Sequence, residues 1–278
     1  METIIGLGNT GCNIAMKFMD YPQYKTICID TEDKKYENFV KINRQASHED
    51  YERNYTRLDL SGVAGSPTLI VGGSGFISGA SLRILEQLDN KEVEIIYIHP
   101  DLETITEKGR TRDKITSQVL QQYTRSGVFK RIYLVDNTKV EDIVGDVSIK
   151  DYWDKMNEVI ASTVYMTNVF SHIEPIMSTF SNVPASARIS TLGIVDIDNG
   201  EEKLFYDLES PREKLYYYAI NEEKTKEKSD LFKTIIGQVK SKSEERVRSS
   251  YSIYSTKYDD NYVYTTYHAS MIQGENIS

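Results

Sequence analysis

Short apolar runs alternate with helical periodicity through the first two thirds of the chain. "TIIGLG", "KTICID", "PTLIVGG", "EVEIIYIH" and "RIYLVDN" are β-branched stretches of strand length. Between them, Asn13 to Met19 carries apolar residues at helical spacing, "SLRILEQL" reads as a helix, and a polar helix is predicted around Arg112 to Tyr123. "DYWDKMNEVIASTVYMTNVF" has the length of one long helix. This alternation predicts an α/β fold with a doubly wound, mainly parallel sheet, whose ligands bind outside the carboxyl ends of the strands. "QASHEDYERNYTRLDLSG" lacks clear periodicity and is expected to be a long loop with some helix.

After Pro184 the pattern changes. "ARISTLGIVDID", "LYYYAI", "VRSSYSIYST" and "YVYTTYHAS" alternate in the manner of strands, with one helix expected around Ser229 to Lys240. A smaller α+β domain fits this stretch, giving expected domains over 1–180 and 181–278. The mixed charge run "INEEKTKEKSD" is expected to be a solvated loop or helix start.

Bulk properties exclude some classes. The formal net charge of −9 argues against a protein that neutralises a nucleic-acid backbone. No stretch approaches the roughly 18–20 apolar residues of a membrane span. Met1 leads straight into the first strand without a leader pattern, so a cytoplasmic protein is expected. Two cysteines, Cys12 and Cys28, make neither a disulfide framework nor a metal cage and are expected to be small buried hydrophobes. The 20 tyrosines predict half-buried sheet, a contact surface, or both. His48, His99, His172 and His268 are scattered without metal-ligand spacing, and His99 before Pro100 suits a structural turn. No Ser/His/Asp nucleophile arrangement is supported by its sequence context.

The chemistry concentrates in two glycine loops. Gly6, Gly8 and Gly11 form G-x-G-x-x-G between a strand and a helix, where a tight turn brings backbone amides to a phosphate. Asp30 follows about 20 residues on, as in the dinucleotide fingerprint, so an NAD-binding Rossmann enzyme is one alternative. A strand-to-helix turn with no ligand is another. A second loop, Gly72, Gly73, Ser74 and Gly75 through Gly79, follows the third strand. A simple Rossmann site does not require it. Two loops at neighbouring strand ends can hold one nucleotide from two sides.

This layout resembles the tubulin/FtsZ superfamily over most of the chain, in order. "GLGNTGCN" is similar to the family's first glycine loop, which places Gly6, Gly8, Asn9, Thr10, Gly11 and Asn13 at the nucleotide. "CIDTED", with Asp30, resembles its Asn-Thr-Asp turn, and "VGGSGFISGA" resembles a degraded G-G-G-T-G-[ST]-G signature. "YLVDNTKVEDI", with Asn137, is similar to its Pro-Asn-Asp turn near the ribose. "MNEVI" resembles the start of its central helix, which implies that Asn157 reads the guanine edge through its amide. "STLGIVD" and the two closing tyrosine-rich strands fit its second domain.

The resemblance implies a protein that binds GTP or GDP with Mg2+ and self-associates head-to-tail into cytoskeletal filaments or rings. It also shows departures. Val71 replaces the first signature glycine, Ser74 stands for the Thr, and Phe76 and Ile77 fall where small residues are expected. These bulky side chains are expected to narrow or reshape the terminal-phosphate site. The family's N-x-D-x-x-[DE] pattern, which brings acids to the next subunit's nucleotide, is met here by "TNVFSHIEPIM", with Phe170 and Ile173 at the acid positions. His172 and Glu174 are the remaining candidate catalytic groups, and slow or absent hydrolysis is expected. A second alternative is a structural derivative with a vestigial pocket and no cofactor, forming a nucleotide-independent oligomer or a complex with a protein partner.

Overall fold

Each apolar run of the first two thirds forms a strand in the computed structural model, which describes residues 1–34, 36–88, 92–223 and 229–274. β1 (Glu2–Leu7), β2 (Tyr24–Asp30), β3 (Phe39–Lys41), β4 (Thr68–Gly72), β5 (Glu94–His99) and β6 (Arg131–Asp136) run parallel in the order β3-β2-β1-β4-β5-β6. β8 (Ile189–Val195) joins β6 in parallel through Ile132–Ile189, Tyr133–Ser190 and Leu134–Thr191. Beyond it lie antiparallel β12 (Tyr262–Ala269), then β10 (Pro211–Asn221), β11 (Arg248–Thr256) and the edge strand β7 (Met177–Ser178). β9 (Glu202–Leu204) pairs with β8. Among the described residues one sheet therefore runs across position 180.

Helices cover both faces because alternate strand residues point to opposite sides. Ile5, Leu69, Val71 and Ile95 pack with Ile84 and Leu85 of α3 (Ser81–Gln87) and Leu120 of α4 (Glu107–Arg125). The same layer continues to Ile235 of α7 (Ser229–Ser241). Ile4, Ile70 and Ile96 face the other way, onto Ile14 and Ala15 of α1 (Gly8–Met16) and Met156 and Ile160 of α6 (Tyr152–His172). Each such side chain contributes about 1.5–3 kcal/mol by leaving water. α2 (His48–Arg53) is the helix inside the long loop, and α5 (Asn137–Val144) follows β6.

Some elements differ from the sequence reading. α4 starts at Glu107 rather than near Arg112, because the Thr106 hydroxyl accepts from Gly109 N at 3.2 Å and caps a turn with no apolar signal. β3, β7 and β9 are too short to carry a period of two. Tyr216, Tyr217 and Tyr218 are buried rather than half-buried, because β10 lies between β12 and β11 with packed side chains on both faces. Of the charge run "INEEKTKEKSD", residues 224–228 lie outside the described residues.

His268 sits at the seam between the two kinds of strand, on β12. Its Nδ1 is 2.7 Å from Ser190 Oγ and its Nε2 is 3.1 Å from Thr266 Oγ1. Burial first, and Arg131 second, hold its pKa well below the usual 6.5. The unfolded chain therefore binds a proton near pH 6.5 that the folded chain refuses, and stability falls as pH drops below that value. Urea titrations at pH 6.5 and 5.5 should show a loss of about 1 kcal/mol from this group. In His268→Gln that part of the pH dependence should be absent.

Candidate functional site

The first loop is the turn from β1 into α1. α1 is a poor helix by composition, with Gly8, Asn9, Thr10 and Gly11 in its first turn. Packing holds it in place. A Cβ on Gly11 would overlap the Ile70 carbonyl oxygen of β4, and one on Gly6 would overlap the Gly11 carbonyl, so the helix backbone lies directly against the sheet. Gly8 has φ +71, a conformation that glycine adopts without strain. The N-cap residue Leu7 offers no side-chain acceptor. The first amides of α1 are thus left uncapped at the carboxyl end of β1, which suits an anion.

Asn9 and Asp30 come together through a residue the sequence reading did not single out. Lys34 Nζ donates to Asn9 Oδ1 at 2.8 Å and pairs with Asp30 Oδ2 at 3.2 Å. The other Asp30 oxygen accepts from Thr31 N at 2.7 Å. Neither oxygen is left solely for a ribose hydroxyl. Only the spacing of Asp30 and Lys34, four residues apart, hinted at this pairing.

The second loop leaves β4 beside the first, with Thr10 packed against Gly72. Gly73 is buried, and a Cβ there would overlap Asp113 Oδ1 and the Tyr97 hydroxyl. Tyr97 donates to Asp113 Oδ1 at 2.9 Å, and His99 Nδ1 is 3.0 Å from Asp113 Oδ2. Burial, followed by the Asp113 charge, pushes the Tyr97 hydroxyl well above its usual range. Arg112 Nε donates to the Ser74 carbonyl at 2.9 Å. Ser78 Oγ donates to Gly75 O at 2.7 Å, so its hydroxyl is used within the loop.

Ser117 Oγ lies 3.4 Å from His99 Nε2, which completes a Ser-His-Asp line that the sequence context had not supported. Ser117 is buried in the middle of α4 and accepts from Gln121 Nε2 at 3.0 Å. The line is a brace beneath the loop, with no access for a substrate.

The two bulky residues of the loop part company. Phe76 turns outward, 45% exposed, with the Arg112 guanidinium 4.4 Å from its ring centre. The expected narrowing therefore does not come from Phe76. Ile77 turns inward and covers Gly8, where a Cβ would lie 2.6 Å from Ile77 Cγ2.

Asn137 opens α5 at the end of β6, behind Asp136, whose Oδ1 accepts from Thr138 N at 2.9 Å. Asn13 lies on α1 and Asn157 on α6, two helices that pack against one another. Just past the end of α1, Lys17 pairs with Asp154 of α6 at 2.5 Å, and Tyr21 then stacks on Tyr165 at 3.7 Å. Gly75 is exposed at the mouth of the second loop. The loop residues, Asp30 and Asn137 thus lie at the carboxyl ends of β1, β2, β4 and β6, while Asn13 and Asn157 lie on the packed helices α1 and α6. His172 and Glu174 are not with them. α6 ends at the opposite edge of the sheet, where Asn168 Nδ2 donates to Glu2 Oε2 at 2.7 Å, and His172 Nδ1 lies 2.9 Å from the Asn168 carbonyl oxygen. Among the described residues no group of three or more His, Cys, Asp or Glu is placed to hold a metal ion. No described helix is long and apolar enough to cross a membrane.

No protein-family model matches the sequence, and no curated protein matches it. Solved structures do match in fold. The GTPγS-form protofilament of TubZ from Bacillus thuringiensis serovar israelensis superposes with a TM-score of 0.69 at 14% identity, covering 97% of this chain and 86% of that one. The GDP-bound monomer of CetZ1 from Haloferax volcanii gives 0.69 at 14%, covering 98% and 95%. The empty FtsZ dimer of M. jannaschii gives 0.67 at 12%, covering 96% and 87%. Across nearly its whole length, the chain has the fold of the tubulin/FtsZ superfamily.

Proposed function

We propose that the chain binds a guanine nucleotide between its two glycine loops and assembles head-to-tail into filaments or rings. The observation that carries this is the uncapped start of α1 lying directly beside the second loop, with Thr10 against Gly72. The backbone amides from Gly8 to Gly11 and from Gly73 to Gly75 would take the phosphates. Asn137 would face the ribose, and the amides of Asn13 and Asn157 the base. The nucleotide would supply a charged, exchangeable plug between subunits, with Mg2+ as its counter-ion. The GTPγS-form and GDP-form protofilaments of TubZ, which this chain resembles in fold, support the same direction.

Assembly finds support in apolar side chains left in water at both ends. Ile149 and Trp153, 96% and 61% exposed, border the start of α6, and Ile173, Ile176 and Met177 follow its end. A contact between unlike ends is heterologous and propagates. Hydrolysis would be slow. His172 and Glu174 cannot reach the loops of their own chain and stand where a neighbour's loops would need carboxylates.

A second reading, a structural derivative without nucleotide, is favoured by one observation: Ile77 lies on Gly8, between the loops.

Four outcomes are expected. Denaturing the purified protein should release close to one guanine nucleotide per chain, and Asn157→Leu should weaken guanine-nucleotide binding about tenfold, or about 1.4 kcal/mol. An empty protein that takes up no GTP would favour the derivative instead. Ile77→Ala should improve binding of a nucleoside triphosphate relative to the diphosphate by about fivefold in calorimetry, while lowering stability by about 2 kcal/mol. An unchanged ratio would place Ile77 outside the phosphate site. Trp153→Glu should remain a monomer in sedimentation at concentrations where the unmodified chain pellets as polymer.

A further inference from the structure

α3 and α4 lie on the same face of the sheet, and their outer side carries an apolar strip. Ile115, Val119 and Tyr123 follow one another every four residues along α4, so they share one side of it. Ile115 is 51% exposed and Tyr123 46%. The strip leads into a cavity of about 390 Å³ between the ends of α3 and α4, lined by Leu82, Leu85, Tyr123, Val128 and Phe129. Val128 is itself 58% exposed there.

The free charge beside the strip has one sign. Lys108, Lys114 and Arg125 of α4 are exposed, and none has an ion-pair partner among the described residues. Glu107 is the one exposed acid of this helix, since Asp113 is buried under the second loop with Tyr97 and His99. The acids on the opposite wall of the cavity are already matched: Glu52 and Glu86 lie 3.8 and 3.0 Å from Arg83. A basic, apolar face thus stands on a chain whose formal net charge is −9. Two such faces paired about a two-fold axis would set like charge on like. A flat anionic bilayer would meet the cations and leave the cavity unfilled.

We infer that this face docks an acidic amphipathic helix of a partner protein, laid along α4. Its apolar side covers Ile115, Val119 and Tyr123, and one large side chain enters the cavity as an anchor. Its carboxylates flank Lys114 and Arg125. Charges at such a rim speed encounter and reject wrong partners, while the buried anchor supplies most of the affinity. The face is independent of the nucleotide reading, since none of its docking residues belongs to either glycine loop.

The probe is a labelled peptide of about 15 residues, or ~22 Å of helix, held helical by a side-chain cross-link. Leu recurs every three or four positions with Glu between, and Leu, Phe or Trp is tried as the anchor. Fluorescence anisotropy on the full chain should show one peptide bound per chain. Replacing its Glu by Lys, or its apolar residues by Ala, should each weaken binding at least tenfold. On the protein, Ile115→Glu should do the same, and so should Lys114→Glu combined with Arg125→Glu. These side chains are exposed, and an unchanged melting temperature guards against misfolding. No binding by any of the three peptides, or equal binding of the Glu and Lys forms, would overturn the assignment. Binding to vesicles of anionic phospholipid that Ile115→Glu abolishes, with no peptide bound, would overturn it in favour of a membrane. Self-association lost in Ile115→Glu, with no peptide bound, would overturn it in favour of a second copy of this chain.

Discussion

The contact on which the rest depends is the backbone of α1 lying on the backbone of the sheet. Gly11 meets the Ile70 carbonyl and Gly6 meets Gly11, with no side chain between them. A single methyl group at either position would push the helix outward. Three consequences follow from that closeness. The helix begins as soon as β1 ends, so its free amides sit at the strand ends rather than out in a loop. Thr10 reaches Gly72, which joins the two glycine loops into one concave surface. α6 packs beside α1 and ties to the turn that follows it, through Lys17 with Asp154 and Tyr21 with Tyr165.

The second loop is held from below in a different way. Its fixed point is Gly73, pressed against the Tyr97–Asp113 pair, which His99 extends. Backbone carbonyls of the loop are taken by Ser78 and by Arg112. A loop so tied has little freedom to reshape around a ligand, so the position of Ile77 becomes a property of the frame. Asp113 is buried and accepts from Tyr97, so losing it would free Gly73 and Ile77 together.

The sheet was legible because β-branched runs ending in glycine or Asp/Asn have few other uses, and the loops because glycine patterns report close approach directly. Gly11 and Gly73 are cases in which a motif letter has a steric cause visible in the fold. Asp113 and Lys34 were not legible. Each is a charged residue in a polar stretch, and little local separates a bridging charge, buried at Asp113 and half-buried at Lys34, from a solvated one. The fates of Phe76 and Ile77 were equally hidden, because a short 3-10 turn over Phe76–Ala80 decides which of two adjacent side chains faces in. Arg131 stands first in β6, and nothing local marks it. Only the path of α6 over the amino ends of the strands encloses it.

The two departures from the pattern that the sequence resembles lie at opposite ends of the sheet, and this separates their effects. Ile77 acts within one chain, on whatever occupies the start of α1. On the proposed reading, the lack of carboxylates at Phe170 and Ile173 would act only on a neighbour, because the end of α6 is the full length of β1 away from its own loops. A chain could thus keep its nucleotide and lose hydrolysis, or lose the nucleotide and keep the end-to-end surfaces, without one change forcing the other. On the proposed reading, the exposed apolar residues at both ends of α6 are the part that both outcomes share. Ile149 and Trp153 remain in water at one end and Ile176 at the other, so the drive to bury them does not depend on what lies between the loops.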